Sequence, residues 1–169
     1  MDSYKAIPLS RKNIRKIARL IRESIGISDE EAFPVIPFLE RALDKFDYNY
    51  DICEEEELRN NYALTIPSKK ILKIREDVYL RAMNNVPRDL FTISHEFGHA
   101  FLHDNDTIAL ARGEEKIKAY EDPEWQANTF AAELMAPSDA VRGMSIEEIM
   151  RKYNCSKQVA EIQSRNSYI

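Results

Sequence analysis

The chain has 169 residues, 44% of them hydrophobic and 31% charged, with a formal net charge of −5, which fits one compact domain with at most a small appendage. The acidic balance argues against a surface built to neutralise phosphate, because non-specific nucleic-acid binding draws on clustered Lys and Arg. No stretch approaches the roughly 20 apolar residues of a membrane span, the N-terminus lacks the apolar core of a secretory signal, and two distant cysteines, Cys53 and Cys155, form no disulfide framework, so a cytoplasmic setting is expected.

Ser10 is placed to cap a helix whose apolar positions are Ile14, Ile17, Ala18, Ile21 and Ile25, spaced at three and four. Its remaining positions carry Arg11, Lys12, Arg15, Lys16, Arg19 and Arg22, which reads as a solvated face, with a phosphate-binding stripe as the sharper alternative. Gly26, Pro34 and Pro37 mark a connection, and Phe38–Leu43 reads as a short helix ending before Asp47. Glu54–Glu57 reads as a solvated acidic loop. Tyr62–Ile66 and Lys70–Ile74, joined by Pro67-Ser68-Lys69, read as a hairpin, and Asp77–Leu80 as a weaker third element of a sheet over 62–80.

Pro87 starts a predicted helix through Phe91, Ile93, Phe97 and Phe101 that ends near Asp104–Asp106. A polar loop follows to about residue 120. Asp122-Pro123 has the form of an N-cap followed by a first helical proline, and the next helix, Glu124–Met135, stops at Ala136-Pro137. The tail holds two more helical stretches, Ser145–Lys152 and Ser156–Arg165, the first opened by a Ser145/Glu148 capping-box spacing.

The chemistry sits at His95-Glu96-Phe97-Gly98-His99, and the three histidines of the chain all fall between 95 and 103. On a helix, residues four apart share a face, so His95 and His99 can converge on one ion at a Zn–N distance of about 2.0–2.1 Å. Glu96 is turned about 100° from His95 and flanks that ion without binding it. A water acidified by the metal beside a carboxylate that takes its proton is what peptide hydrolysis requires. Phe97 lies about 200° from His95, so the opposite face packs inward. Gly98 costs about 1 kcal/mol relative to Ala inside a helix, and close approach of a neighbouring turn is its expected reason.

A catalytic zinc site has three protein ligands and an open position. His103 lies about 12 Å along the axis from His95, too far for one ion; it is either a helix-end surface histidine or a residue of the cleft that supports the ligands. The remaining carboxylates after this helix are Asp104, Asp106, Glu114, Glu115, Glu121, Asp122, Glu124 and Glu133. Glu124, on a helix rich in Ala127, Phe130, Ala131 and Leu134, is the best held of them. Its plainer role is to stabilise the helix N-terminus, worth about 0.3–1 kcal/mol. The residues alone leave that choice open.

His95–His103, followed by Glu124-Trp125-Gln126-Ala127-Asn128-Thr129-Phe130-Ala131-Ala132-Glu133-Leu134-Met135-Ala136-Pro137, resembles the signature blocks of the ImmA/IrrE metallopeptidases, with a small departure at Leu134-Met135-Ala136-Pro137. The resemblance covers roughly residues 87–140. It implies one zinc ion per chain on His95, His99 and Glu124, with Glu96 as general base and acid; Asn128, one turn beyond Glu124 where thermolysin-like enzymes carry a polar residue supporting a zinc histidine, is the candidate for that support, with an ordinary buried polar residue as the plainer alternative. The resemblance also implies a protein substrate, a helix-turn-helix repressor whose cleavage derepresses genes of a mobile element or stress response.

The expected architecture is an α+β zincin-like domain over residues 1–140, with N-terminal helices over 10–45, a short twisted sheet over 62–80 and active-site helices over 87–136. Residues 141–169 form a helical appendage. The edge of the sheet is suited to strand addition by extended substrate. Tyr120 and His103 are candidates to stabilise the oxyanion. A catalytically silent binding module is the rival reading. The tail has helix-turn-helix spacing, but Arg151, Lys152, Lys157 and Arg165 face Glu147, Glu148 and Glu161, so DNA binding is not expected.

Overall fold

The computed structural model describes residues 4–103, 108–110 and 116–169. In chain order the elements are β1 (Tyr4–Ala6), α1 (Arg11–Ser24), α2 (Val35–Arg41), β2 (Asn49–Cys53), α3 (Glu55–Leu58), β3 (Ala63–Ile66), β4 (Ile71–Arg75), α4 (Glu76–Met83), α5 (Pro87–Leu102), β5 (Ile108–Leu110), α6 (Pro123–Met135), α7 (Ile146–Tyr153) and α8 (Lys157–Asn166). The fold is the small α+β zincin-like arrangement that the sequence predicts. Among the described residues no helix is long and apolar enough to cross a membrane.

α6 is its axis. Ala127, Phe130, Ala131 and Leu134 are fully buried, as is Gln126, and both α1 and α5 pack along it. α1 begins where Ser10 accepts from the Asn13 N–H and buries Ile14, Ala18 and Ile21. α5 turns Ile93 and Phe97 into the core, where Phe97 meets Phe38 of α2 edge-on at 5.0 Å. A Cβ built at Gly98 would stand 2.9 Å from both Cα and O of Ala127, so the two helices touch backbone to backbone. Such an approach admits no side chain, which explains a helical glycine despite its conformational cost.

The hairpin forms as predicted, with β3 antiparallel to β4 from Ala63↔Ile74 to Ile66↔Ile71. The third strand, however, is β2, parallel to β4 in the order β2-β4-β3. β2 is mostly exposed and shows no apolar alternation, so period-2 patterning could not reveal it. Residues 77–80 belong instead to α4, which buries Val78 and Ala82, four apart, and leaves Leu80 49% exposed. That is a helix's periodicity, and four residues were too few to tell it from a strand's. The acidic run 54–57 also winds up, into the single turn of α3 anchored by buried Leu58.

Part of the predicted polar loop is strand: β5 pairs antiparallel with β1 from Tyr4↔Leu110 to Ala6↔Ile108. Residues 104–107 and 111–115 of that loop, with Asp104, Asp106, Glu114 and Glu115, lie outside the described residues. The first tail helix is capped as its sequence predicts, by the reciprocal Ser145/Glu148 box, and the second by Ser156. α8 is tied to the end of α6 where Gln163 Nε2 donates to Ala136 O at 2.8 Å.

Candidate metal centre

Three side chains from two helices converge. His95 and His99 project from one face of α5, with their Nε2 atoms 3.0 Å apart. Glu124, in the first turn of α6, brings Oε2 to 3.0 Å from His95 Nε2 and Oε1 to 3.1 Å from His99 Nε2. Local structure dictates this meeting. Asp122 accepts from the Glu124 N–H at 2.9 Å and Pro123 opens the helix, which fixes where the first turn starts. The Gly98–Ala127 contact then sets how far Glu124, one turn before Ala127, stands from the histidines.

These residues fit a divalent cation. Ligands of a tetrahedral ion at about 2.0–2.2 Å lie roughly 3.3 Å from one another, close to the observed triangle, and two nitrogens with a carboxylate are a donor set zinc takes. Charge makes the same point. Burial pulls His95 down, yet the hydrogen bond to Glu124 and the charges of Glu96 and Glu124 raise its pKa overall. Hydrogen bonds from His95 and His99 hold Glu124 well below the usual carboxylate range. Both shifts describe a cluster that wants positive charge at its centre.

Each imidazole is held from behind. His95 Nδ1 donates to Asn128 Oδ1 at 2.7 Å, which turns Nε2 toward the centre as the nitrogen left for a metal. His99 Nδ1 lies 3.0 Å from His103 Nδ1. His103 leaves the helix in an extended conformation as its C-cap and is only 4% exposed, so it is not the surface histidine that its position at a helix end suggested. Burial above all, with the neighbouring His99 and His95 adding to it and Gln126 and Glu124 opposing it, lowers its pKa to about 4.

The centre opens on a cleft of about 1010 Å³ lined by β3, α5 and the start of α6, the upper end of the ~300–1,000 Å³ that small-molecule pockets span. Glu124 remains 66% exposed to it. Glu96 also lines this cleft but is 7% exposed, and the Thr65 hydroxyl donates to its Oε2 at 2.5 Å. Thr65 was not legible in the sequence; only its place on the hairpin hinted at it. Gln126 was missed as well, although a polar residue within so apolar a helix signals a buried partner.

The two oxyanion candidates are placed differently. Tyr120 does not line the cleft: its ring sits under Lys118 Nζ at 5.6 Å, and it contributes a backbone carbonyl instead. His103 lines the cleft, but both its ring nitrogens are engaged, by His99 and by Gln126. Glu133, another candidate ligand, is buried at the other end of α6 and accepts from Ser138 N and Oγ. Three of the α1 arginines are engaged within the protein. Arg15 and Arg19 pair with Asp139, and Arg22 donates to the carbonyls of Leu134, Ser28 and Glu31.

Paired helices presenting two histidines and a glutamate, beside a buried second glutamate and a strand-edged cleft, define a metallopeptidase-type domain. The chain belongs to the IrrE N-terminal-like domain family, a peptidase family that it matches over residues 61–164. Comparison with curated proteins gives no match. Among solved structures it is similar to one described as a Mycobacterium tuberculosis transcriptional regulator, at 12% identity and a TM-score of 0.49 over 88% of this chain. The chain spans 45% of that protein's length, and so loose a likeness says nothing of what this chain does.

Proposed function

We propose that this protein is a zinc-dependent endopeptidase of the cytoplasm, acting on a helix-turn-helix transcriptional repressor and so derepressing genes. The observation that carries the reading is the convergence of His95, His99 and Glu124 within 3.0–3.1 Å of one another beside Glu96. The repressor substrate rests on the family resemblance. The cytoplasmic setting rests on two free, buried cysteines.

His95, His99 and Glu124 would hold the metal. Bound there, zinc would polarise the scissile carbonyl and acidify the attacking water. Glu96 takes that water's proton and returns it to the departing amine nitrogen. The Thr65 hydroxyl occupies one lone pair of Glu96 Oε2 and steadies the carboxylate for both transfers. β3, an edge strand among the described residues, offers its outer side to an extended segment of substrate, and backbone pairing there is indifferent to sequence.

The test is cleavage of a co-expressed helix-turn-helix repressor by the zinc-loaded full chain and by Glu96→Gln. The expected result is cleavage by the native protein alone, with equal zinc content by elemental analysis. Equal cleavage by both, or none by either, would favour a silent binding module.

A further inference from the structure

We infer that Gln126, acting through His103, sets the tautomer in which His99 meets the metal. Gln126 is a positioning residue two steps removed from the centre. The inference rests on the zinc reading of the centre.

Gln126 is fully buried. Its Nε2 lies 2.9 Å from Ile7 O and 2.8 Å from Tyr120 O. Both partners are backbone carbonyls, which only accept, so the group facing them must be the NH₂ and the amide has one permissible orientation. Its Oε1 therefore faces His103 Nε2, at 2.8 Å, and an amide oxygen only accepts. His103 must carry its proton on Nε2. Among the described residues no carboxylate hydrogen-bonds this ring, and in an imidazole with its one proton on Nε2 the Nδ1 is bare. That nitrogen, 3.0 Å from His99 Nδ1, accepts the His99 proton. His99 Nε2 is then the atom left to meet a metal, aimed at the point shared with His95 Nε2 and Glu124.

The chain of four groups thus has direction. Two carbonyls at one end permit one arrangement at the other, and that arrangement is the one in which His99 ligates. His95 reaches the same state through one acceptor, Asn128. The longer relay has a consequence: Ile7 lies outside the matched segment 61–164, yet its carbonyl helps orient a metal ligand, so the N-terminal segment is part of the centre. Without Gln126, His103 is free to move its proton to Nδ1, and His99 must then accept there and turn an N–H toward the metal.

The test uses the full chain. Long-range ¹H–¹⁵N correlation on the ¹⁵N-histidine-labelled, metal-free protein reads which ring nitrogens are protonated. The expected result is a proton on His103 Nε2 and none on Nδ1; the reverse overturns the relay. Zinc affinity, by competition with a chelating dye, should fall about 10–100-fold in Gln126→Met and His103→Phe. It should recover to within a few-fold of native in His103→Asn, whose carbonyl oxygen stands near the place of Nδ1. Unchanged affinity in folded Gln126→Met and His103→Phe, with only a lower Tm of the metal-free protein, would show a merely structural role and overturn the inference. If those variants do not fold, the native tautomer decides. Should the native chain bind no zinc, the endopeptidase reading fails, while the nitrogen shifts still decide the relay.

Discussion

Helices α1 and α5 both pack along α6, and both carry a row of polar side chains at helical spacing, but they use them differently. On α1 the row is spent inside the protein. Arg22, 1% exposed, serves three backbone carbonyls, and Arg15 and Arg19 are taken up by Glu133, Asp29 and Asp139. On α5 the row is held from behind, by Asn128 and His103, so that its working atoms face a cleft. Charge along a helix therefore does not mark a binding face. What separates scaffold from site is whether the protein itself supplies the last partner.

The sharpest way to break that comparison is to remove chemistry from α5 while leaving its packing intact. Glu96→Gln should lower kcat/KM for a cleaved substrate by about 10²–10⁴-fold, the usual worth of a general base, and leave zinc affinity within a few-fold of native. The α1 counterpart is Arg22→Met, which keeps the apolar stem and orphans buried carbonyls. It should cost on the order of 3 kcal/mol of stability, since each unsatisfied buried acceptor costs about 1–3 kcal/mol, read as a lower Cm in urea with zinc affinity unchanged. A loss of activity without a loss of stability in Arg22→Met would erase the distinction between the two helices.

The same contrast governs what the sequence could show. His95, Glu96 and His99 were legible because one helix carries them at fixed spacing, and the Asp122-Pro123 start of α6 because capping is local. Glu124 as their partner was not, because it depends on how closely two helices approach. Gly98 foretold a contact but could not name Ala127. The Gln126–His103 relay depends on carbonyls from Ile7 and Tyr120, contributed by segments over a hundred residues apart in the chain, and no local pattern encodes such a meeting. β2 was invisible for a related reason: an exposed strand carries no apolar alternation, and only its pairing with β4 defines it.

Gly98→Ala tests the link between packing and site. Ala is the better helix former by about 1 kcal/mol, but its Cβ would press on the Ala127 backbone at 2.9 Å, and backbone yields less readily than a side-chain tip. We expect a net loss of about 1–2 kcal/mol from overpacking. We also expect weaker zinc binding, because parting α5 from α6 draws Glu124 away from the two imidazoles. A stabilised variant with native zinc affinity would mean that the helices can separate without cost to the centre.

The smallest effect belongs to an ion-pair cluster that, like the α1 row, is spent internally. Asp77 accepts from Arg75 at 2.9 and 2.6 Å and from Arg81 at 3.2 Å, while Arg81 also grips buried Asp89 at 3.1 Å through two nitrogens. Arg75 above all, against the opposing pull of desolvation and with help from Arg81, holds the Asp77 carboxyl well below its ordinary range. A depressed folded-state value stabilises the protein above the unfolded pKa, about 3.9 for Asp, and that contribution is lost as pH falls toward the folded value. Asp77 is 41% exposed, so solvent screening limits its worth to under about 1 kcal/mol. Asp77→Asn should therefore lower the urea midpoint slightly at pH 7, and the gap from native should narrow as pH falls below about 4. Zinc affinity should not respond, since the cluster meets α5 at Asp89 in its first turn, six residues before His95. A shift in zinc binding by this substitution would show that the separation between spent and working charges does not hold.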